Sequence, residues 1–299
     1  MRISNLCSLP ALSGIIVFLS LIILLINNFT YQFPGNNFFP EHMFLLTSIL
    51  LLVNCGLIIT FGVESKVSRR GIEFFYFFII MSVIALATNA VQLTPFPTID
   101  KKILDIELYF NINTPAILAW TNEHPFVKNL LGFIYDTLPY QMSLLPLIVI
   151  IAGKFYLVRE YFFLMLVTTL LGFSFYYFFP TSAPASIVDS PFFMPEQIAT
   201  GFKFNQIHHH IVPTTNEGGL IALPSYHTIW ALLCVYLLKE WAVPCIFLLI
   251  INILLITSCV LLGWHYVIDV VAAIILTAIG FALLPFYKRT ATNNRGRGF

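Results

Sequence analysis

A series of long apolar runs, almost free of charged residues, limits this chain more than any other feature. Eight candidate spans of about 16 to 24 residues cover approximately 9–29, 43–63, 73–93, 138–153, 161–179, 222–238, 243–262 and 264–286, against the roughly 20 apolar residues that carry a helix across a bilayer. In lipid the backbone must satisfy its own hydrogen bonds, so only helices or a closed barrel can cross. Barrel strands alternate apolar and polar residues, whereas these runs are unbroken. The reading is therefore an all-α, polytopic membrane helical bundle of about eight transmembrane helices. Composition agrees. The 299 residues are 59% hydrophobic and 10% charged, with mean hydropathy +0.88; soluble domains are roughly 25% charged. A net charge of +1 and the lack of any basic–aromatic pattern give no pointer to nucleic acid. The expected partners are the bilayer and a lipid substrate within it.

Lysine and arginine orient the spans. With a cytoplasmic N-terminus, Arg2, Lys66, Arg69, Arg70, Lys154, Arg159, Lys239, Lys288, Arg289, Arg295 and Arg297 fall inside, eleven of the fifteen basic residues. Lys101, Lys102, Lys128 and Lys203 fall outside. Positive charge gathers in cytoplasmic connections, so both termini are expected there. The run from Leu9 to Ile26 after Arg2 is long for a signal peptide and has no A-x-A-like site after it, so an uncleaved first span is expected. Residues 94–137 read as one or two helices lying at the interface. Residues 180–221, rich in Pro, Thr, Ser and His, read as a loop. Cys7, Cys55, Cys234, Cys245 and Cys259 form no CxxC pair and read as small packing residues.

The unusual residues gather on this map. LPSYHTIW (223–230) opens the sixth span with Pro224 in the first turn, where a helix accepts proline, and places His227 at its outer end. GWHYVIDVV (263–271) opens the eighth, and His265 and Asp269 are four apart, on one helix face at the same outer level. Ionisable groups at such depth are costly unless they serve a function. A carboxylate beside a histidine fixes its tautomer and stabilises the imidazolium that forms. A second histidine can act as general acid. The helix start at Pro224–Ser225 offers free N–H groups and a positive dipole end, which suit a phosphate, and Ser225 adds a hydroxyl.

PSYH (224–227) with GWHYVID (263–269) resembles the second and third motifs of the type 2 phosphatidic acid phosphatase superfamily, Pro-Ser-Gly-His and Ser-Arg-x5-His-x3-Asp. Tyr226, together with IYDTLPYQ (134–141) and FFPTSAPAS (178–186), resembles the inositol phosphorylceramide synthase-like branch. The resemblance spans roughly 95–287 and implies a six-helix phosphatase-like core. Residues 1–94 then supply extra N-terminal spans, and 288–299 a basic cytoplasmic tail. It implies catalysis without metal or other cofactor through a phosphohistidine, on the non-cytoplasmic face. His265 would attack phosphorus, Asp269 orient it, and His227 protonate the leaving alcohol. Water as acceptor gives a phosphatase and a second alcohol a head-group transferase. Cys259 stands where the third motif has arginine, Ser186 where the branch often has one, and the first motif, Lys-x6-Arg-Pro, has no match. Lys203, His208, His209, His210 and Ser225 are the expected substitutes around the phosphate.

Two rival readings stay open. A transporter would carry its ionisable cluster at mid-bilayer within repeated halves. A degenerate family member would keep only binding. The triple histidine IHHHIVP (207–213) suggests metal, but adjacent residues point in different directions and no carboxylate or cysteine cluster completes a site.

Overall fold

The computed structural model describes residues 8–39 and 41–295; Arg2, Cys7 and Arg297 lie outside them. The described residues form twelve α-helices: α1 Leu9–Thr30, α2 Met43–Phe61, α3 Lys66–Val91, α4 Asp100–Tyr109, α5 Thr114–Glu123, α6 Pro125–Tyr135, α7 Leu138–Ile151, α8 Phe155–Phe178, α9 Pro195–His208, α10 Tyr226–Leu237, α11 Ala242–Leu261 and α12 Val267–Arg295. Local chemistry sets several starts. Ser8 caps α1 and Ser65 caps α3 through side-chain oxygens that accept from Ala11 N and Ser68 N. Asn113 does the same for α5, with Pro115 in its first turn.

Among the described residues, seven helical runs are long and apolar enough to cross a membrane, and α10 is a shorter apolar helix. The chain is thus an all-helical, polytopic bundle. One boundary moves from the sequence expectation. The weak span at 138–153 is half of a longer run, Pro125–Ile151, made of α6 and α7 with a break at Asp136 and Thr137. Pro139, in the first turn of α7, hides the continuity in the sequence. Of the stretch 94–137, expected to hold one or two interfacial helices, only α4 and α5 lie outside that longer run.

The second difference lies in 180–221, which is not loop throughout. It contains α9, preceded by a 3-10 turn at Pro184–Ser186. Thr200, Lys203, Phe204 and Ile207 are buried along one side of α9, a helical spacing that the intervening polar residues mask. Gln197 fastens the helix start, accepting from Met194 N at 2.9 Å and donating to Leu262 O at 2.6 Å.

The core is organised around α8. From Leu157 to Thr169 every residue but Arg159 is buried, as expected of a helix surrounded on all sides. Helices α1, α3, α7, α10 and α12 pack around it. The N-terminal spans α1 and α3 are therefore part of the same packed unit, while α2 lies outside, against α3.

Candidate active site

The site begins with an interrupted crossing. Twelve residues of α10 are about 18 Å long, short of the roughly 30 Å hydrocarbon core. Non-helical backbone is tolerated at such depth only where protein buries it, and Leu220, Ala222, Leu223 and Ser225 are all buried. Partners from distant elements satisfy its polar groups. Leu223 N donates to Thr181 Oγ1 at 2.9 Å, and Ser225 N donates to Asp269 O at 3.1 Å. The carbonyl of Ala222 lies 3.1 Å from His265 Nδ1. At the helix start Ser225 Oγ accepts from Thr228 N at 3.3 Å. The first-turn N–H groups of Tyr226 and His227 have no partner within the helix and carry its positive dipole end.

The turn between α11 and α12 delivers the second half. Gly263 adopts φ +82°, a conformation L side chains rarely take, and a Cβ there would meet Leu118 at 2.7 Å. His265 N then donates back to Cys259 O at 2.9 Å. This brings His265 over the first turn of α12, where Asp269 lies.

His265 Nδ1 faces Asp269 Oδ2 at 3.2 Å as well as Ala222 O. Both neighbours are acceptors, so the ring hydrogen belongs on Nδ1, and the Nε2 lone pair is left free. Asp269 Oδ2 also accepts from Tyr266 N at 3.0 Å. His227 completes the group, its ring centroid 5.7 Å from that of His265. Tyr135 stacks on His227 at 4.6 Å and on Trp264 at 5.3 Å, holding the imidazole by its face. Asp269 and His265 are buried and His227 is partly exposed, so the three run from the interior toward the surface. All three lie at helix starts, at one end of the bundle.

Two buried acids that the sequence reading had left unassigned brace this end. Glu107 Oε1 accepts from Ile268 N at 3.2 Å, capping α12 from α4. Both oxygens of Asp100 accept from Ser182 N at 3.0 Å, tying α4 to the stretch that holds Thr181. Burial outweighs these hydrogen bonds, raising the Asp100 carboxyl to about 6 and Glu107 above the usual carboxylate range.

The other expected residues sit differently. Ser225 is buried and acts as the cap of α10, its hydroxyl also accepting from Thr228 Oγ1 at 3.2 Å. Lys203 is fully buried, its Nζ donating to Glu217 O and Gly218 O; burial lowers its ammonium to about 8. Its charge is thus committed to a loop, away from the histidine pair. His209 Nδ1 lies 2.8 Å from Asn205 O. His210 stacks on Tyr31 at 4.3 Å. His208 is shielded, which together with its two histidine neighbours lowers its pKa to about 4. Among the described residues, no interaction links these three to His227 or His265, and no group of three or more His, Cys, Asp or Glu is placed to hold a metal ion.

No curated protein and no solved structure matches the chain. A family model does, over residues 101–283, a range that holds α10, the turn before α12 and all three residues of the histidine–aspartate group. The chain belongs to the PAP2 superfamily.

Proposed function

We propose that this protein is a membrane lipid phosphatase or phosphotransferase that works through a phosphohistidine on His265. The observation that carries this reading is the pair of acceptors, Ala222 O and Asp269 Oδ2, on one side of the His265 ring. A ring held that way presents Nε2 as a nucleophile. In the first step Nε2 bonds to phosphorus, the ester P–O bond breaks, and His227 gives its proton to the departing alkoxide. Asp269 stabilises the cationic ring that results. In the second step an acceptor hydroxyl passes its proton to His227, its oxygen bonds to phosphorus, and the P–N bond breaks. Charge on the phosphoryl oxygens meets the N–H groups at the start of α10. Superfamily membership supports the lipid phosphate as substrate, and the position of the cluster at helix ends favours catalysis over transport. The sidedness read from Lys and Arg puts the site on the non-cytoplasmic face.

The test uses purified protein in detergent with chelator present. It receives phosphatidic acid, other lipid phosphates, and phospholipids as head-group donors with ceramide or diacylglycerol as acceptor. Turnover that persists with chelator and disappears in His265→Ala is the expected result. Free phosphate identifies the acceptor as water, and a new phospholipid or sphingolipid identifies an alcohol, as in the inositol phosphorylceramide synthase-like branch. Turnover unchanged in His265→Ala would refute the reading.

A further inference from the structure

A sizeable cavity lies away from the histidine cluster. It has a volume of about 810 Å³ and lies between the starts of α1, α3 and α8 and the far end of α12. Along α12 it is nineteen residues from Asp269 to Lys288, about 28 Å, so the cavity occupies the opposite end of the bundle. Glu73 and Lys288, which line it, both lie outside the range matched by the family model. The N-terminal spans thus build this site with the superfamily domain, and neither could do so alone.

Its charged groups are of both signs. Glu73, Glu160, Arg159 and Lys288 line it. Arg159 Nε donates to Glu73 Oε1 at 2.8 Å, and Nη2 donates to the same oxygen. Lys288 pairs with Glu160 at 2.9 Å. Glu73 is 2% exposed, yet its Oε2 has no hydrogen-bond partner. A buried acceptor left open costs free energy, and a ligand donor would recover it. Arg159 offers the opposite function, because its guanidinium has donors beyond the two on Glu73. A wall that combines spare guanidinium donors with a spare carboxylate acceptor fits a headgroup of both signs better than a simple anion or cation.

The rest of the wall mixes apolar side chains with serine, threonine and tyrosine. Ile80 is buried, and Tyr76 and Tyr156, which also line it, are 48% and 40% exposed on the surface of the bundle. That surface faces lipid in a membrane, and half-exposed tyrosines suit the headgroup level. The volume falls within the range of built ligand sites, enough for a headgroup and the first part of its chains.

We propose that this cavity binds a zwitterionic phospholipid, its phosphate on Arg159, its ammonium on Glu73 Oε2, and its chains leaving past Tyr76 into the bilayer. The site is independent of the phosphohistidine chemistry at the other end. The test is native mass spectrometry and thermal melting of delipidated protein titrated with dioleoyl phosphatidylethanolamine, dioleoyl phosphatidylglycerol or dioleoylglycerol. One phosphatidylethanolamine should be retained, at least tenfold tighter than either competitor. Glu73→Gln should erase that preference by weakening phosphatidylethanolamine alone. Ser13→Phe, which fills the wall from α1 away from the charges, should weaken it at least tenfold, while His265→Ala should leave it unchanged. If Ser13→Phe does not fold, Ile79→Trp fills the same space from α3. Equal binding of the three lipids would overturn the proposal. So would retention unchanged by the filling variant or by Glu73→Gln.

Discussion

Replacing Asp269 with asparagine separates its charge from its shape. His265 Nδ1 has two acceptors, Ala222 O at 3.1 Å and Asp269 Oδ2 at 3.2 Å. The amide oxygen of asparagine can still accept from Nδ1–H and from Tyr266 N. Its NH2 group falls at Oδ1, which has no hydrogen-bond partner in the native protein. The variant therefore keeps the tautomer, because the Ala222 carbonyl does not change. What disappears is the negative charge beside the ring when phosphorus bonds to Nε2. A hydrogen bond to a charged group is worth about 1.5–3 kcal/mol, or about 10- to 150-fold in rate at roughly 1.4 kcal/mol per decade. Asp269 is fully buried, which strengthens its field and places the loss near the upper end, about 100-fold. A serine-protease triad, in which the aspartate alone fixes the tautomer, loses about 10⁴ on the same change. The second acceptor is the reason for the smaller figure here.

Single-turnover rapid quench with a radiolabelled lipid phosphate measures the step directly, and base-stable, acid-labile label on the protein reports the phosphohistidine. Asp269→Asn should label about 100-fold more slowly, and His265→Ala should not label at all. A 10⁴-fold loss in a variant that melts normally would mean that the Ala222 carbonyl does not hold the ring. A loss under threefold would uncouple Asp269 from the phosphorylated histidine altogether.

Three further expectations follow from the geometry. Gly172→Ala places a Cβ 2.4 Å from Tyr226 Oη, so it should break the 2.9 Å bond from that hydroxyl to Thr168 O and shift the start of α10. Overpacking of this kind costs about 1–3 kcal/mol, read as a lower melting temperature, with activity falling at least tenfold because His227 is the next residue. Lys203→Met strips the donor from Glu217 O and Gly218 O and should lower stability by about 1–3 kcal/mol. It should change the single-turnover rate less than threefold; a loss matching His227→Ala would put the ammonium on the phosphate instead. Asp100, raised from 3.8 to about 6, holds a proton in the folded chain that the unfolded chain releases between those values. Its contribution to stability therefore falls as pH rises from about 4 to 6, and melting of Asp100→Asn across that range should show a shallower fall than the native protein.

How far the sequence could be read depended on the distance between cooperating residues. The bundle was legible because each span is a continuous apolar run; His265 and Asp269 were legible as neighbours from their four-residue spacing, although His265 lies in the turn before α12 and not on the helix face expected. His227 was legible at one remove, through topology. Glu107 and Asp100 were not. Each acts by accepting a backbone N–H from a segment remote in sequence, Ile268 for one and Ser182 for the other, and a backbone donor leaves no trace in residue type. Tyr135 lay within the quoted element IYDTLPYQ, but its place against His227 was not legible, since a ring stacked on a residue 92 positions away leaves no local spacing to read. The stretch 180–221 was underestimated because the buried face of α9 includes Thr200 and Lys203, which do not look like core. Lys203 itself shows the opposite error: residue type suggested a phosphate ligand, while its ammonium is held by two loop carbonyls.

The short α10 unites these observations. A full-length apolar helix would have crossed the membrane without help, but it would have left no free N–H groups at the depth of His265. Ending the helix early at Tyr226 exposes those donors and obliges the chain to bury non-helical residues, Leu220 and Ala222 to Ser225, in their place. Thr181 satisfies Leu223, His265 meets Ala222, and the Asp269 carbonyl satisfies Ser225. Asp100 in turn fixes the strand of chain that carries Thr181. Two of the three partners of the broken segment are thus the proposed nucleophile, His265, and the backbone of Asp269. One of these hydrogen bonds, between Ala222 O and His265 Nδ1, both satisfies the interrupted backbone and sets the tautomer of the proposed nucleophile, so a substitution that shifts Ala222 must disturb the ring as well.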